Sequence, residues 1–214
     1  MSTRPHTTVI SVYADESCLG NGREGSNPGG AGGLIQCFLP SKPAAVQRDY
    51  WISERATTNN RMALRSAIEA FRLLSSKGKS LEVYFTSDSN YLVQGMTSWT
   101  KDWVRRGWKR KGGVLENLEL WQELVDEASA HQHHWRWVKG HNSHPQNEYA
   151  NHLATRAARE LTSSSGAEPS GFDEWLDAQR ARGKMKMPAD ERPDPARFKE
   201  GCALRDIEED SPHW

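Results

Sequence analysis

The sequence predicts a mixed α/β fold, a five-stranded sheet with helices on both faces, and three observations carry that reading. Five short runs rich in β-branched and aromatic residues lie between positions 8 and 138. The first three are divided only by Gly, Pro and Asn clusters, as in an antiparallel meander. The last two alternate with helical segments, so three antiparallel strands are followed by two further strands in one sheet.

In chain order, Thr8–Ala14 (TVISVYA), Gly33–Phe38 (GLIQCF) and Gln47–Ser53 (QRDYWIS) are the meander. The stretch ATTNNRMALRSAIEAF, Ala56–Phe71, then opens with Thr and Asn oxygens suited to the free N–H groups of a helix start. Leu64, Ala67, Ile68, Phe71 and Leu74 recur at helical spacing, giving one apolar face and an end near Gly78. Leu81–Thr86 (LEVYFT) is the fourth strand, and SDSN at Ser87–Asn90 caps a short helix through Met96. Trp99–Arg106 is a further helical turn, Glu116–Ala130 an amphipathic helix, His134–Val138 (HWRWV) the fifth strand and Asn147–Leu161 the last helix.

The chain of 214 residues suits one domain, 1–161, with a charged, Pro-containing C-terminal extension, 162–214. TSSSGAEPSG after Leu161 has the composition of a linker, and beyond it only FDEWLDAQRARGKM has helical character, so the extension is expected to be loosely held. Of 28 basic and 28 acidic residues, 20 and 16 precede position 162, a mildly basic body with an acidic tail. Three widely spaced cysteines without a C-x-x-C pair argue for a reducing compartment. No apolar run is long enough to span a membrane, and MSTRPHTTV lacks a signal-type hydrophobic segment. A soluble, cytoplasmic monomer without membrane attachment is expected.

Asp15 follows the first strand in VYADES, and Asp88 the fourth in YFTSDS. Carboxylates at the ends of neighbouring strands can converge on a hard divalent cation, although each also suits a turn or helix cap. The choice comes from WVKGHNSHPQNEYANHLATRAA, Trp137–Ala158: with YADESCLGNG, TTNNRM and SDSNYLVQG it resembles the bacterial-type (type I) ribonuclease H family in order and spacing, over about residues 8–161. The resemblance implies a ribonuclease H-like fold and a metal-dependent endonuclease that hydrolyses the RNA strand of RNA–DNA hybrids. The implied cofactor is Mg²⁺, with Mn²⁺ as a substitute. Asp15 and Asp88 match two acidic positions of the family and His141 its loop histidine.

Two positions depart. The family's helix glutamate falls on Ala63 and its last aspartate on Asn151. An Ala contributes no ligand and an Asn only a neutral oxygen, so catalysis is weakened or lost unless another carboxylate substitutes. Glu16, beside Asp15, and Glu148, one turn before Asn151, are the substitutes at hand. Glu148 equally suits a first-turn residue that complements the helix dipole. The two changes are open to natural drift and to engineering alike. A catalytically weakened or inactive chain that still binds hybrid or duplex is therefore the alternative to a working enzyme.

Binding residues are better preserved. TKDWVRRGWKRKGG carries Lys101, Arg105, Arg106, Lys109, Arg110 and Lys111 around Trp103 and Trp108, and its place matches the family's basic protrusion, suited to a phosphate backbone. The resemblance implies that Asn59, Asn60 and Gln94 touch the minor groove, where 2′-hydroxyls distinguish RNA, that Thr58 meets a phosphate, and that Asn90 joins this set. HQHH, His131–His134, has no cysteine partner and is not read as a zinc site. The glycine-rich GNGREGSNPGGAGG lacks a P-loop ending, and it is longer than the family's loop around Arg23–Asn27.

Overall fold

The computed structural model of the chain describes residues 8–20, 27–76, 78–109, 113–140 and 144–202. Strand β1 (Val9–Cys18) lies at the centre of the sheet, antiparallel to β2 (Gly29–Phe38) and parallel to β4 (Glu82–Ser87). β3 (Val46–Glu54) extends the meander beyond β2, and β5 (Gln132–Trp137) runs parallel to β4. These are the five expected strands.

Two further strands come from the extension. β6 (Glu168–Pro169) pairs with β3 and β7 (Lys199–Glu200) with β5, so among the described residues the order is β6-β3-β2-β1-β4-β5-β7 and the sheet has seven strands rather than five. Residues after 161 thus cover both edges.

One face of the sheet carries α1 (Asn59–Ser75) and α4 (Leu118–Ser129), whose Leu64, Phe71, Trp121 and Leu124 bury against Val12, Phe85 and Trp135. Helix α1 starts where Thr58 Oγ1 accepts from Arg61 N at 3.3 Å, as its Thr/Asn opening predicts. Between β4 and α4 lie α2 (Asn90–Gln94), a π-helical turn at Gly95–Trp99 and α3 (Thr100–Arg105). The π turn sits where Gly95 meets the Trp121 ring so closely that an added Cβ would lie 1.9 Å from it.

The opposite face carries α5 (Pro145–Glu160) and α6 (Phe172–Ala181). Helix α5 approaches β2 at Gly30 and Gly32: a Cβ on Gly30 would lie 2.3 Å from the Ala154 carbonyl, and one on Gly32 2.5 Å from Leu153 Cβ. That contact explains why β2 begins at Gly29, four residues before its expected start: the glycines that weaken strand propensity are what lets the helix sit down. Strand β1 likewise continues to Cys18, so Asp15 lies within the strand and not after it.

Through residue 202 the extension is not loosely held. Phe172, Leu176 and Met185 bury with Tyr13, Leu34, Tyr149 and Leu153 in a second core. The serines of the expected linker are bonded to the edge strand: Trp51 N donates to Ser164 Oγ at 3.2 Å and Ser53 N to Ser163 Oγ at 3.1 Å. Asp49 Oδ2 accepts from Tyr149 Oη at 2.6 Å and from Gly171 N at 3.1 Å, fixing the entry to α6. Composition underestimated this segment because a few apolar side chains reach a core that the body supplies. No helix among the described residues is long and apolar enough to cross a membrane.

Candidate active site

Strand alternation puts Asp15 on the α5 side of β1, with Tyr13, and Glu16 on the α1 side, with Ile10, Val12 and Ala14. Asp88 follows β4, held by its backbone carbonyl, which accepts from Trp137 Nε1 at 2.9 Å. Gly140 lies against its carboxylate; a Cβ there would be 2.3 Å from Asp88 Oδ2. Each of Asp15, Glu16 and Asp88 offers an oxygen, and these oxygens lie within 4.8 Å of one another. The helix position that lacks a carboxylate, Ala63, is buried on the side to which Glu16 points.

Such crowding raises proton affinity. Burial, then the Asp88 charge and the nearby Glu148, push Asp15 up to about 8 against the pull of its bonds to Glu16 N and Asn147. Burial and the charges of Asp15 and Asp88 push Glu16 well above the usual range. Three carboxylates held at this separation suit a hard divalent ion, which would neutralise the repulsion and displace the protons.

Asn147, in the first turn of α5, donates from Nδ2 to Asp15 Oδ2 at 3.0 Å. Sequence reasoning passed over this residue; the signal available was its place one turn before Asn151 on the same helical face. Asn151 itself accepts from Thr155 Oγ1 at 3.4 Å. Glu148 is not among the clustered carboxylates and acts on Asp15 through its charge. His141 lies outside the described residues, as do Arg110, Lys111 and positions 23–26 of the glycine-rich loop.

Most of the expected binding residues are exposed. Thr58 and Asn60 are exposed at the start of α1 with Asn59 half-buried between them, and Asn90 and Gln94 are exposed one turn apart on α2. Lys101, Arg105, Arg106 and Lys109 are exposed along and after α3. The tryptophans among them have a different place from the one their interleaving suggests. Trp103 and Trp108 are half-buried, in ring contact with each other at 6.5 Å, and Trp103 meets Trp121 at 5.6 Å, so they anchor the basic segment to the core. Tyr91, Trp99, Trp103, Leu115 and Glu116 line a groove of about 480 Å³ beside it. His131 of HQHH is structural, accepting from Leu81 N at 3.2 Å and meeting Ser75 Oγ at 3.0 Å.

The RNase H family model matches residues 7–159. Ribonuclease H of Methylococcus capsulatus (Bath) is 39% identical over 157 residues, 73% of this chain and 93% of that protein. Ribonuclease H of Hahella chejuensis is 38% identical over 159 residues, 74% of this chain and 99% of that protein. The crystal structure of LC9-RNase H1, described as a type 1 RNase H with the type 2 active-site motif, is 52% identical and has a TM-score of 0.85, covering 99% of this chain and 100% of that one. The solution structure of the PFV RNase H domain, 18% identical with a TM-score of 0.58 over 72% of this chain and 96% of that one, shares the fold. By the family match and these relatives together, the chain belongs to the ribonuclease H family.

Proposed function

We propose that this protein is an active ribonuclease H, hydrolysing the RNA strand of RNA–DNA hybrids, with Asp15, Glu16 and Asp88 as its carboxylate ligands for Mg²⁺, or for Mn²⁺ in its place. The observation that carries the reading is the position of Glu16, which supplies a third carboxylate where Ala63 supplies none. LC9-RNase H1, described as carrying a type 2 motif on a type 1 enzyme, supports a rearranged site of this kind. Bound divalent ions supply two things, an activated water and stabilisation of the leaving 3′ oxygen.

The chain's own residues do the rest. Asp15 and Glu16 give up their protons on loading, so metal affinity rises with pH through about 8, where Asp15 titrates. Asn147 fixes the rotamer of Asp15 through Oδ2. Asn151, one turn further along α5, offers a neutral oxygen in place of the family's aspartate. Lys101, Arg105, Arg106 and Lys109 meet the phosphate backbone, together with Arg110 and Lys111 in the same basic run. Thr58, Asn59, Asn60, Asn90 and Gln94 meet the hybrid's minor groove and flanking phosphate, and His141 falls at the position of the family's loop histidine.

Incubating the purified protein with end-labelled hybrid in Mg²⁺ and then Mn²⁺ tests this directly. Cleavage confined to the RNA strand is expected, abolished in Asp88→Asn while hybrid binding persists. A parent that binds hybrid and cuts it in neither metal establishes the non-cutting alternative.

A further inference from the structure

Asp190, in the extension, reaches three elements that build the catalytic centre. Its Oδ2 accepts from Arg136 of β5 at 2.6 Å, lies 3.3 Å from His144 Nε2 at the start of α5, and accepts from Tyr13 Oη of β1 at 3.5 Å. Its backbone forms a two-way clasp with Gln146: Asp190 N donates to Gln146 Oε1 at 3.2 Å, and Gln146 Nε2 donates to the Asp190 carbonyl at 2.7 Å. His144 caps α5 without a side-chain bond of its own to the helix, and Gln146 is fully buried. The residue after Gln146 is Asn147, which holds Asp15, and Tyr13 stands two positions before Asp15 on the same face of β1. Nothing in the family segment, 7–159, includes Asp190.

We propose that Asp190 is a positioning residue for the reaction: through His144, Gln146 and Tyr13 it sets the start of α5 against β1 and so the Asn147–Asp15 contact. The inference rests on the ribonuclease reading of the site. The carboxylate is built to stay ionised. Burial alone would raise its proton affinity, yet the hydrogen bonds and charges of His144 and Arg136 more than offset this and hold it below the usual carboxylate range. Arg136 has a side chain only 10% exposed and lies over the Phe198 ring at 5.0 Å, so the extension also clamps the cation that Asp190 needs. Removing the carboxylate leaves that guanidinium buried without its anion and frees the first turn of α5. Helix N-termini depend on such outside partners for their geometry.

The test compares the full-length parent with Asp190→Ala, Asp190→Asn and, as control, Arg197→Ala, which removes an exposed ion pair of the same extension. Assays are run well below each protein's measured melting temperature. Asp190 acts one step further out than a direct partner of a metal ligand, so its loss should lower kcat by less than the roughly 10–100-fold such a partner costs, with KM for hybrid little changed. Asp190→Asn, which keeps one acceptor, should fall between, and Arg197→Ala should match the parent. Independently of activity, hydrogen exchange should quicken in peptides spanning 144–153 of Asp190→Ala and stay the same in α1. Unchanged kcat, unchanged exchange at 144–153, or faster exchange throughout with kcat and KM shifted together would overturn the proposal. A parent that cuts no hybrid would defeat the ribonuclease reading, and the exchange result alone would then decide whether Asp190 positions α5.

Discussion

Glu16 is one residue from Asp15 and on the opposite side of the strand, and that side faces Ala63. A carboxylate carried by the strand can therefore occupy the region that a helix-borne one would fill. Glu16→Gln keeps the shape and removes the anion, and should weaken Mg²⁺ binding by more than the roughly 10–100-fold that loss of an outer partner costs. Isothermal titration with Mg²⁺ and cleavage across Mg²⁺ concentrations check this; unchanged affinity would assign the third ligand elsewhere. The same crowding makes stability depend on pH. Burial and the neighbouring charges raise Asp15 to about 8 in the folded state against an ordinary 3.8, so the folded state binds the extra proton and its stabilising effect is complete at low pH. Stability of the metal-free protein should fall as pH rises from about 4 to 8, level off above that, and recover on adding Mg²⁺. Denaturant midpoints at pH 5, 7 and 9, with and without Mg²⁺, read this out.

At the scale of elements, the contact of α5 with β2 sets where Asn147 and Asn151 stand. Gly32→Ala would place a Cβ 2.5 Å from Leu153 Cβ and 2.7 Å from Ala154 N, so the helix must shift. Overpacking of this kind costs about 1–3 kcal/mol, and the shift should lower cleavage beyond what the stability loss explains. Urea midpoints and kcat measured together separate the two effects. The basic segment after the π turn is held from beneath by Trp103 and Trp108, leaving Lys101, Arg105, Arg106 and Lys109 exposed. If Arg106 and Lys109 each contact one phosphate, neutralising both should reduce the slope of log affinity against log salt by about two units. Filter binding of hybrid from low to high salt measures it, and an unaltered slope removes these residues from the interface.

For the molecule as a whole, the extension belongs to the same folded unit as the sheet it crosses. It pairs with Arg48 and Asp49 on the β3 edge through β6, covers one face through α6 and pairs with His134 and Trp135 on the β5 edge through β7. Residues paired in this way are withheld from association with other chains. Leu176 is buried among residues from β1, β2 and α5. Leu176→Ala should therefore lower the global unfolding free energy by about 2–5 kcal/mol, with a single transition seen by near-UV and far-UV circular dichroism. An unchanged global midpoint would mean that the extension unfolds on its own.

The sequence by itself determined the five central strands and the capped α1, because period, turn residues and caps are local signals, and left the convergence of Asp15 and Asp88 to the family motifs. Family motifs supplied their order and a function. Tertiary structure alone decided the rest. The glycines of β2 read as loop in isolation and become strand because α5 needs their missing side chains. Glu16 was one of two equivalent substitutes for Ala63 until the strand placed it beside Asp15 and Asp88, while α5 kept Glu148 at a distance. Asn147 offered only its place one turn before Asn151, and Asp190 no local signal, since their partners are 132 residues away for the first and 44 to 177 away for the second. An acidic, Pro-rich tail cannot bury a core of its own, and its order comes from apolar and hydrogen-bonding surface that only the folded body presents.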